Sequence, residues 1–285
     1  MASVFIPLCI SRPIGLGAAS LRYASSAASS RWKTRQVADP YAREAKAQGL
    51  RSRAAFKLLE MNKRYRLFRR ANTVVDLGFA PGSWAQVAAE KTAPGGLVVG
   101  IDLLPAAAPP GVVVLQGDFL APDVRERVKA LVVEAKARLR ARAASSVQAA
   151  EGDEEALDEE QGVRVNTTVL ERREGKDAPR RAVVDVVVSD MMMNTCGVAF
   201  RDHVGSMDLC EAALAFAQDT LRPGGHFVCK FYQGSEDKAF EIRLKTMFSK
   251  VFREKPDSSR KESKEAYFVA LRRKRDSNIK KTATP

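Results

Sequence analysis

Apolar and polar positions recur along this chain at two different periods, and the switches between them mark the elements. From Tyr41 to Phe68 the spacing is helical: Ala54, Ala55, Leu58, Leu59 and Met61 share a face, with Arg51, Arg53, Lys57, Lys63 and Arg64 interleaved. Thr73–Leu77 follows as a strand, an apolar run broken by Asp76, and a Gly/Pro turn leads into a helix beginning near Ser83. Leu97–Ile101 reads as a second buried strand, ending at Asp102, and Val112–Leu115 as a third. A β-α-β-α-β succession of this kind predicts a parallel sheet with right-handed crossovers. A helix over Val124–Ala143 comes next, then a fourth strand, Val183–Ser189, ending in Asp190. The remaining pattern predicts a helix over Met207–Leu221 stopped by Arg222-Pro223-Gly224-Gly225, and a fifth strand, His226–Phe231. A helix near Glu236–Phe248 and closing strands near Val251–Glu254 and Ala266–Leu271 complete an α/β domain of seven strands.

The 285 residues suit one catalytic domain, 38–272, with extensions, and 45% hydrophobic residues supply its core. Residues 1–37 contain no Asp or Glu but carry Arg12, Arg22, Arg31, Lys33 and Arg35 among Ser and Ala. That is the composition of a mitochondrial transit peptide; a disordered basic RNA-binding arm is the alternative, and a plastid address has similar composition. Residues 144–181 combine an acidic block with mixed charge and few large apolar side chains, so a flexible surface insertion is expected. The tail, 273–285, is basic and expected to be disordered. No apolar run approaches the ~20 residues of a membrane span. The net charge of +13 fits a polyanionic partner, or only basic extensions. Four cysteines without a CxxC pair, and two histidines, make a metal site improbable, so no metal is expected.

Candidate chemistry lies at the strand ends. Asp76-Leu77-Gly78-Phe79-Ala80-Pro81-Gly82-Ser83-Trp84 takes a strand through a glycine-bearing turn into a helix, the place where α/β proteins bind nucleotides. There is no GxGxxG, hence no dedicated pyrophosphate cradle. Asp102 ends the second strand, 20 residues after Gly82 (102 − 82), where a carboxylate can accept both ribose hydroxyls of an adenosine. Asp118 follows the third strand, placed for an adenine amino group. Each alone could cap a turn. Together they argue for adenosine without pyrophosphate, which points to S-adenosylmethionine. Asp190 ends strand four and Lys230 lies inside strand five, where an ammonium among apolar residues needs a partner or a task. Lys57 and Glu265 are individually ordinary surface charges.

At this point the chain resembles the FtsJ-type ribosomal RNA 2′-O-methyltransferases, and within them the mitochondrial large-subunit enzymes. The matching stretches are RSRAAFKLLE (51–60), VVDLGFAPGSW (74–84), GIDLLP (100–105), LQGDF (115–119), SDMMMN (189–194), RPGGHFVCKFYQG (222–234) and KPDSSRKESKEAY (255–267). The resemblance implies a Rossmann-like class I S-adenosylmethionine-dependent methyltransferase, its seven-stranded, mostly parallel sheet covered by helices on both faces. It implies a catalytic tetrad of Lys57, Asp190, Lys230 and Glu265. Cofactor contacts would come from Pro81, Gly82, Ser83, Trp84, Asp102 and Asp118, with Asp190 near the methionine end. One departure is Met192-Met193, standing where the family has Ala-Pro; the other is the 144–181 insertion.

A ribose hydroxyl must lose its proton as it attacks the methyl group, and a lysine can take that proton only when neutral. Lys230 is therefore expected to be the base or to orient the hydroxyl, Lys57 to stabilise the alkoxide, and Glu265 to steer Lys230 or the ribose. The basic helix around Arg51, Arg53 and Lys63 is expected to hold RNA phosphates. The expected substrate is mitochondrial large-subunit rRNA within an assembling ribosomal subunit, at a uridine of the peptidyl-transferase A-loop, acted on by a monomer in the matrix. A tRNA or non-mitochondrial rRNA methyltransferase, a nucleotide-binding dehydrogenase and a non-catalytic assembly factor are the competing readings. The transit-like segment argues against the first, the missing GxGxxG against the second, and the tetrad against the third.

Overall fold

The computed structural model describes residues 39–150 and 183–275, side chains from 142 to 150 excepted. The N-terminal segment 1–37, the greater part of the insertion and the tail after Arg275 lie outside the described residues. In chain order the elements are α1 (Pro40–Ala47), α2 (Ala54–Tyr65), β1 (Thr73–Leu77), α3 (Ser83–Thr92), β2 (Leu97–Asp102), β3 (Val112–Gln116) and α4 (Pro122–Ala150). After the insertion come β4 (Val184–Ser189), α5 (Ala199–Thr220), β5 (Leu221–Tyr232), α6 (Asp237–Met247), β6 (Phe248–Glu254) and β7 (Glu265–Arg273).

The strands form one sheet in the order β3-β2-β1-β4-β5-β7-β6. The first five pair in parallel, and β7 runs antiparallel between β5 and β6. Continuous apolar runs such as Val-Val-Gly-Ile in β2 and Val-Asp-Val-Val-Val in β4 suit strands covered on both faces. Val75, Leu77, Val187 and Phe227 pack on one side with Val128 of α4, Leu214 of α5 and Leu244 of α6. Val74, Val186, Val228 and Val269 pack on the other with Leu58 and Met61 of α2 and Val87 of α3. This is the expected seven-stranded, mostly parallel α/β sheet with helices on both faces.

Several boundaries differ from the sequence pattern for physical reasons. The 41–68 stretch is two helices, because Gly49 adopts φ +67° after α1 and breaks the turn. Helix α5 starts at Ala199, before the expected Met207, because polar residues occupy its inner face: Asp202, His203 and Ser206 are buried. Helix α4 continues to Ala150, into the stretch read as insertion. Strand β5 starts at Leu221, and its register against β4 shifts between Val184 and Val186. Strand β7 reaches Arg273, whose buried guanidinium donates to the carbonyls of Leu221 and Gln218.

Candidate active site

The chain runs outward from β1 to β3, then returns to place β4 on the other side of β1. Parallel strands whose connections part in this way leave a crevice at their carboxyl ends. Asp76 near the end of β1, Asp102 ending β2, and Asp190 just after β4 therefore share one edge. Lys230 reaches the same edge from β5 and lies directly opposite Tyr267 of β7; two residues on, Tyr232 lies opposite Glu265. Side chains two apart on a strand share a face, so these four belong to one surface of the sheet.

Four of the expected residues form a single chain of contacts through a fifth. Lys57 Nζ, from α2, lies 2.7 Å from Glu265 Oε1 and donates to the Tyr267 hydroxyl at 3.1 Å. That hydroxyl donates to Asp190 Oδ1 at 3.0 Å. Lys230 Nζ donates to the Asp190 carbonyl at 2.6 Å and lies 3.1 Å from Asp190 Oδ1. Both lysines are buried, and such ammonium groups persist only with partners of this kind. Of the two lysines, Glu265 is paired with Lys57. Tyr267 was visible in the sequence only as an aromatic strand residue. Burial, helped by the charges of Asp190 and Glu265, holds its phenol well above the usual range.

The other side of the crevice is built from main chain. Gly78 has φ +78°, and a Cβ there would lie 2.9 Å from the backbone of Met191. Gly82 precedes α3 with φ +102°, and a Cβ there would meet the Phe79 ring at 2.8 Å. Asp102 accepts the Ala80 amide on Oδ2 and the Leu104 amide on Oδ1, both at 2.8 Å, fixing the loops after β1 and β2 together. Asp118 accepts the Leu120 amide at 2.9 Å, so it caps its turn. Ser83 pairs with Ser52 at 2.6 Å, and Trp84 Nε1 donates to the Ala54 carbonyl at 2.9 Å. Those two side chains face the segment entering α2.

Two further residues matter here. Asp76 is buried with neither carboxylate oxygen in a hydrogen bond. Burial pushes it up to about 8, the charges of Asp190 and Asp102 add to that, and the nearby Ala85 amide, which falls short of a formed hydrogen bond, opposes. Arg51, one of the residues expected to bind RNA, donates to the Pro81 carbonyl at 2.9 Å and to that of Ala107, bridging the loops after β1 and β2. Neither use is visible without the tertiary fold.

Residues 50–273 match the family described as FtsJ-like methyltransferase. The chain is 37% identical to "rRNA methyltransferase 2, mitochondrial" of Saccharomyces cerevisiae, with 92% of each chain covered. It is 40% identical to "Ribosomal RNA large subunit methyltransferase E" of Granulibacter bethesdensis, over 86% of this chain and 85% of that one. A crystal structure of a ribosomal RNA methyltransferase from Plasmodium falciparum superposes with a TM-score of 0.55 at 23% identity, covering 78% of this chain and 98% of that one.

Proposed function

This chain belongs to the FtsJ-like methyltransferase family, and from that premise we propose that it methylates a ribose 2′-hydroxyl of mitochondrial large-subunit rRNA, with S-adenosylmethionine as donor. The observation that carries the reading is the contact chain Glu265–Lys57–Tyr267–Asp190–Lys230, which brings two buried ammonium groups to the crevice edge. The relatives' names support rRNA as substrate. The mitochondrial relative and the acid-free, Arg-bearing residues 1–37 support a mitochondrial location. The finer reading is an A-loop uridine in an assembling subunit, reached by a monomer in the matrix.

The residues suit the donor. Asp76 is a buried carboxyl without a hydrogen-bond partner, and its mutual repulsion with Asp102 and Asp190 would be relieved by a cation. S-adenosylmethionine supplies, when bound, a methyl group made electrophilic by the sulfonium. Gly78 and Gly82 keep the loop after β1 free of side-chain bulk; this reading assigns Asp102 to the ribose hydroxyls and Asp118 to adenine, each in addition to the backbone amides it already holds. Pro81, Ser83 and Trp84 would contribute through the shape of the loop, because the Pro81 carbonyl and the Ser83 and Trp84 side chains already have partners.

On the acceptor side, an ammonium has three N–H groups. The Asp190 carbonyl takes one from Lys230 and its carboxylate pairs with the same nitrogen, which leaves an N–H for the ribose oxygen. In that state Lys230 orients the hydroxyl; after losing a proton, the same nitrogen can accept the hydroxyl proton. Lys57, fixed by Glu265 and Tyr267, stabilises the oxygen as its negative charge develops. Holding oxygen and methyl in line supplies much of the remaining acceleration. Mapping 2′-O-methyls on mitochondrial large-subunit rRNA from cells with and without this protein tests the proposal. One uridine should lose its methyl, and an unchanged map would refute the reading.

A further inference from the structure

Beyond Lys230, strand β5 ends at Tyr232, a residue the tetrad does not use. Its main chain is fixed at both ends: the amide donates to Ser206 Oγ at 2.8 Å, and the carbonyl lies 2.7 Å from His203 Nδ1. His203 Nε2 accepts the Glu236 amide at 3.0 Å, so Nδ1 carries the proton and donates to Tyr232. Two bonds to α5 thus hold a half-buried aromatic residue at the mouth of the site. Among the described residues its hydroxyl meets only the Met192 sulfur, at 3.5 Å, which is a weak acceptor.

Met192 belongs to the pair that departs from the family pattern. Met193 turns back onto α5, where Gly205 makes room: a Cβ there would lie 3.2 Å from Met193 Cγ. Met192 is left 58% exposed, with its sulfur 3.5 Å from the hydroxyl at the tip of Tyr232. An exposed thioether at the tip of a rigidly held aromatic side chain extends its polarizable surface. The carboxylates around it are already engaged: Glu265 by Lys57, Asp190 by Lys230, and Asp202 by the Cys196 and Gly197 amides. Burial comes first in raising the Tyr232 phenol, followed by the carboxylates of Glu265, Asp202 and Asp190. With Lys57 and Lys230 already held by Glu265 and Asp190, this surface suits a neutral base better than a phosphate. Phosphates are better served by the exposed Lys63, Arg66, Arg69 and Arg70, on α2 and in the loop after it.

We propose that Tyr232 and Met192 form the seat on which the base of the target nucleotide stacks, so that its ribose 2′-hydroxyl is delivered to Lys230 and Lys57. The ligand class is a base unstacked from its RNA strand, which proteins commonly receive on aromatic side chains. The seat needs no sequence-reading hydrogen bond. It sets the angle of the ribose, and the surrounding RNA selects the nucleotide. This rests on the 2′-O-methyltransferase reading above.

The test uses purified full-length protein and an RNA whose methylated nucleotide has first been mapped with the wild type. Tyr232→Leu should lower kcat/KM for RNA by about tenfold to a hundredfold, the range of one base–aromatic stack. Tyr232→Phe should restore most of that loss, because the ring and not the hydroxyl forms the seat. Met192→Ala should cost about threefold. Cofactor affinity by calorimetry should be unchanged in all three, which also shows that they are folded. The decisive arm is an RNA with a bare ribose, lacking its base, at the target position. Wild type should lose about as much on it as Tyr232→Leu loses on intact RNA, and Tyr232→Leu should lose little more. Additive losses, or a Phe variant as poor as Leu, would overturn the seat alone. No methyl transfer by wild type to intact RNA would overturn the underlying reading and the seat with it.

Discussion

The two sides of the crevice are held together by different means. On the acceptor side, charged side chains bind one another: Glu265 to Lys57, Lys57 to Tyr267, Tyr267 to Asp190, Asp190 to Lys230. On the donor side, glycine backbones set the shape and carboxylates hold amides, as Asp102 holds those of Ala80 and Leu104. The first side should therefore respond to a change of charge and the second to a change of bulk. They meet where Gly78 touches Met191, the residue after Asp190.

Lys230→Ala should give the largest effect, a loss of methyl transfer of about a hundredfold to ten-thousandfold, with cofactor affinity kept. Lys230→Arg should fail nearly as badly, because a guanidinium does not become neutral at working pH. Single-turnover rates and calorimetry on the same preparations check both. An active Arg variant with a flat pH profile would leave the lysine a purely electrostatic role.

Gly78→Ala comes next and breaks the comparison at its seam. The added methyl meets Met191 Cγ at 2.8 Å and, at 2.9 Å, its backbone, which cannot swing aside, at a φ that L residues rarely adopt. A stability loss of about 2–3 kcal/mol is expected. Both donor affinity and transfer rate should fall, because the displaced Met191 adjoins Asp190. Denaturant unfolding and calorimetry read the two effects, and a wild-type melting profile would refute the close approach.

Asp76→Asn sharpens the donor side through pH. The folded carboxyl sits at about 8 against an ordinary 3.8. Above 3.8 the unfolded chain therefore binds fewer protons than the folded one, and wild-type stability falls as pH rises towards 8, then levels. Asn carries no such burden. The variant should be the more stable protein at pH 8.5, by on the order of a few kcal/mol, with the gap closing towards pH 4. Saturating cofactor should shrink the gap, because it brings positive charge to the wild-type carboxylate. A gap independent of pH would contradict the buried, unpartnered acid.

Arg51 gives the smallest effect. Arg51→Ala should weaken cofactor binding about tenfold by freeing the Pro81 and Ala107 carbonyls, roughly the worth of a charge-assisted hydrogen bond. Lys63→Ala should leave cofactor binding alone and instead lower RNA affinity, with a shallower salt dependence. Titrations with each ligand separate the two, and an Arg51 variant that affects only RNA would restore the sequence-based assignment.

The sequence was most legible where local pattern and burial agree. Strands β1, β2 and β4 are largely apolar and covered on both faces, so their positions could be read directly. The tetrad was reached through resemblance, since Lys57 and Glu265 look like any surface charges until α2 and β7 meet. Arg51 carried a basic motif that fits phosphate, yet its acceptors lie 30 and 56 residues away in sequence. Tyr267 and Asp76 gained no specific role in the sequence for the same reason: a strand aromatic and a strand acid acquire their roles only from what the fold places beside them.

The central claim is that this edge of the sheet methylates a ribose oxygen. The direct measurement is nucleoside mass spectrometry of large-subunit rRNA after incubation with purified protein and isotope-labelled S-adenosylmethionine. All of the label should appear in one 2′-O-methylnucleoside, and none with Lys230→Ala. Label on a base, or equal labelling by Lys230→Ala, would contradict it.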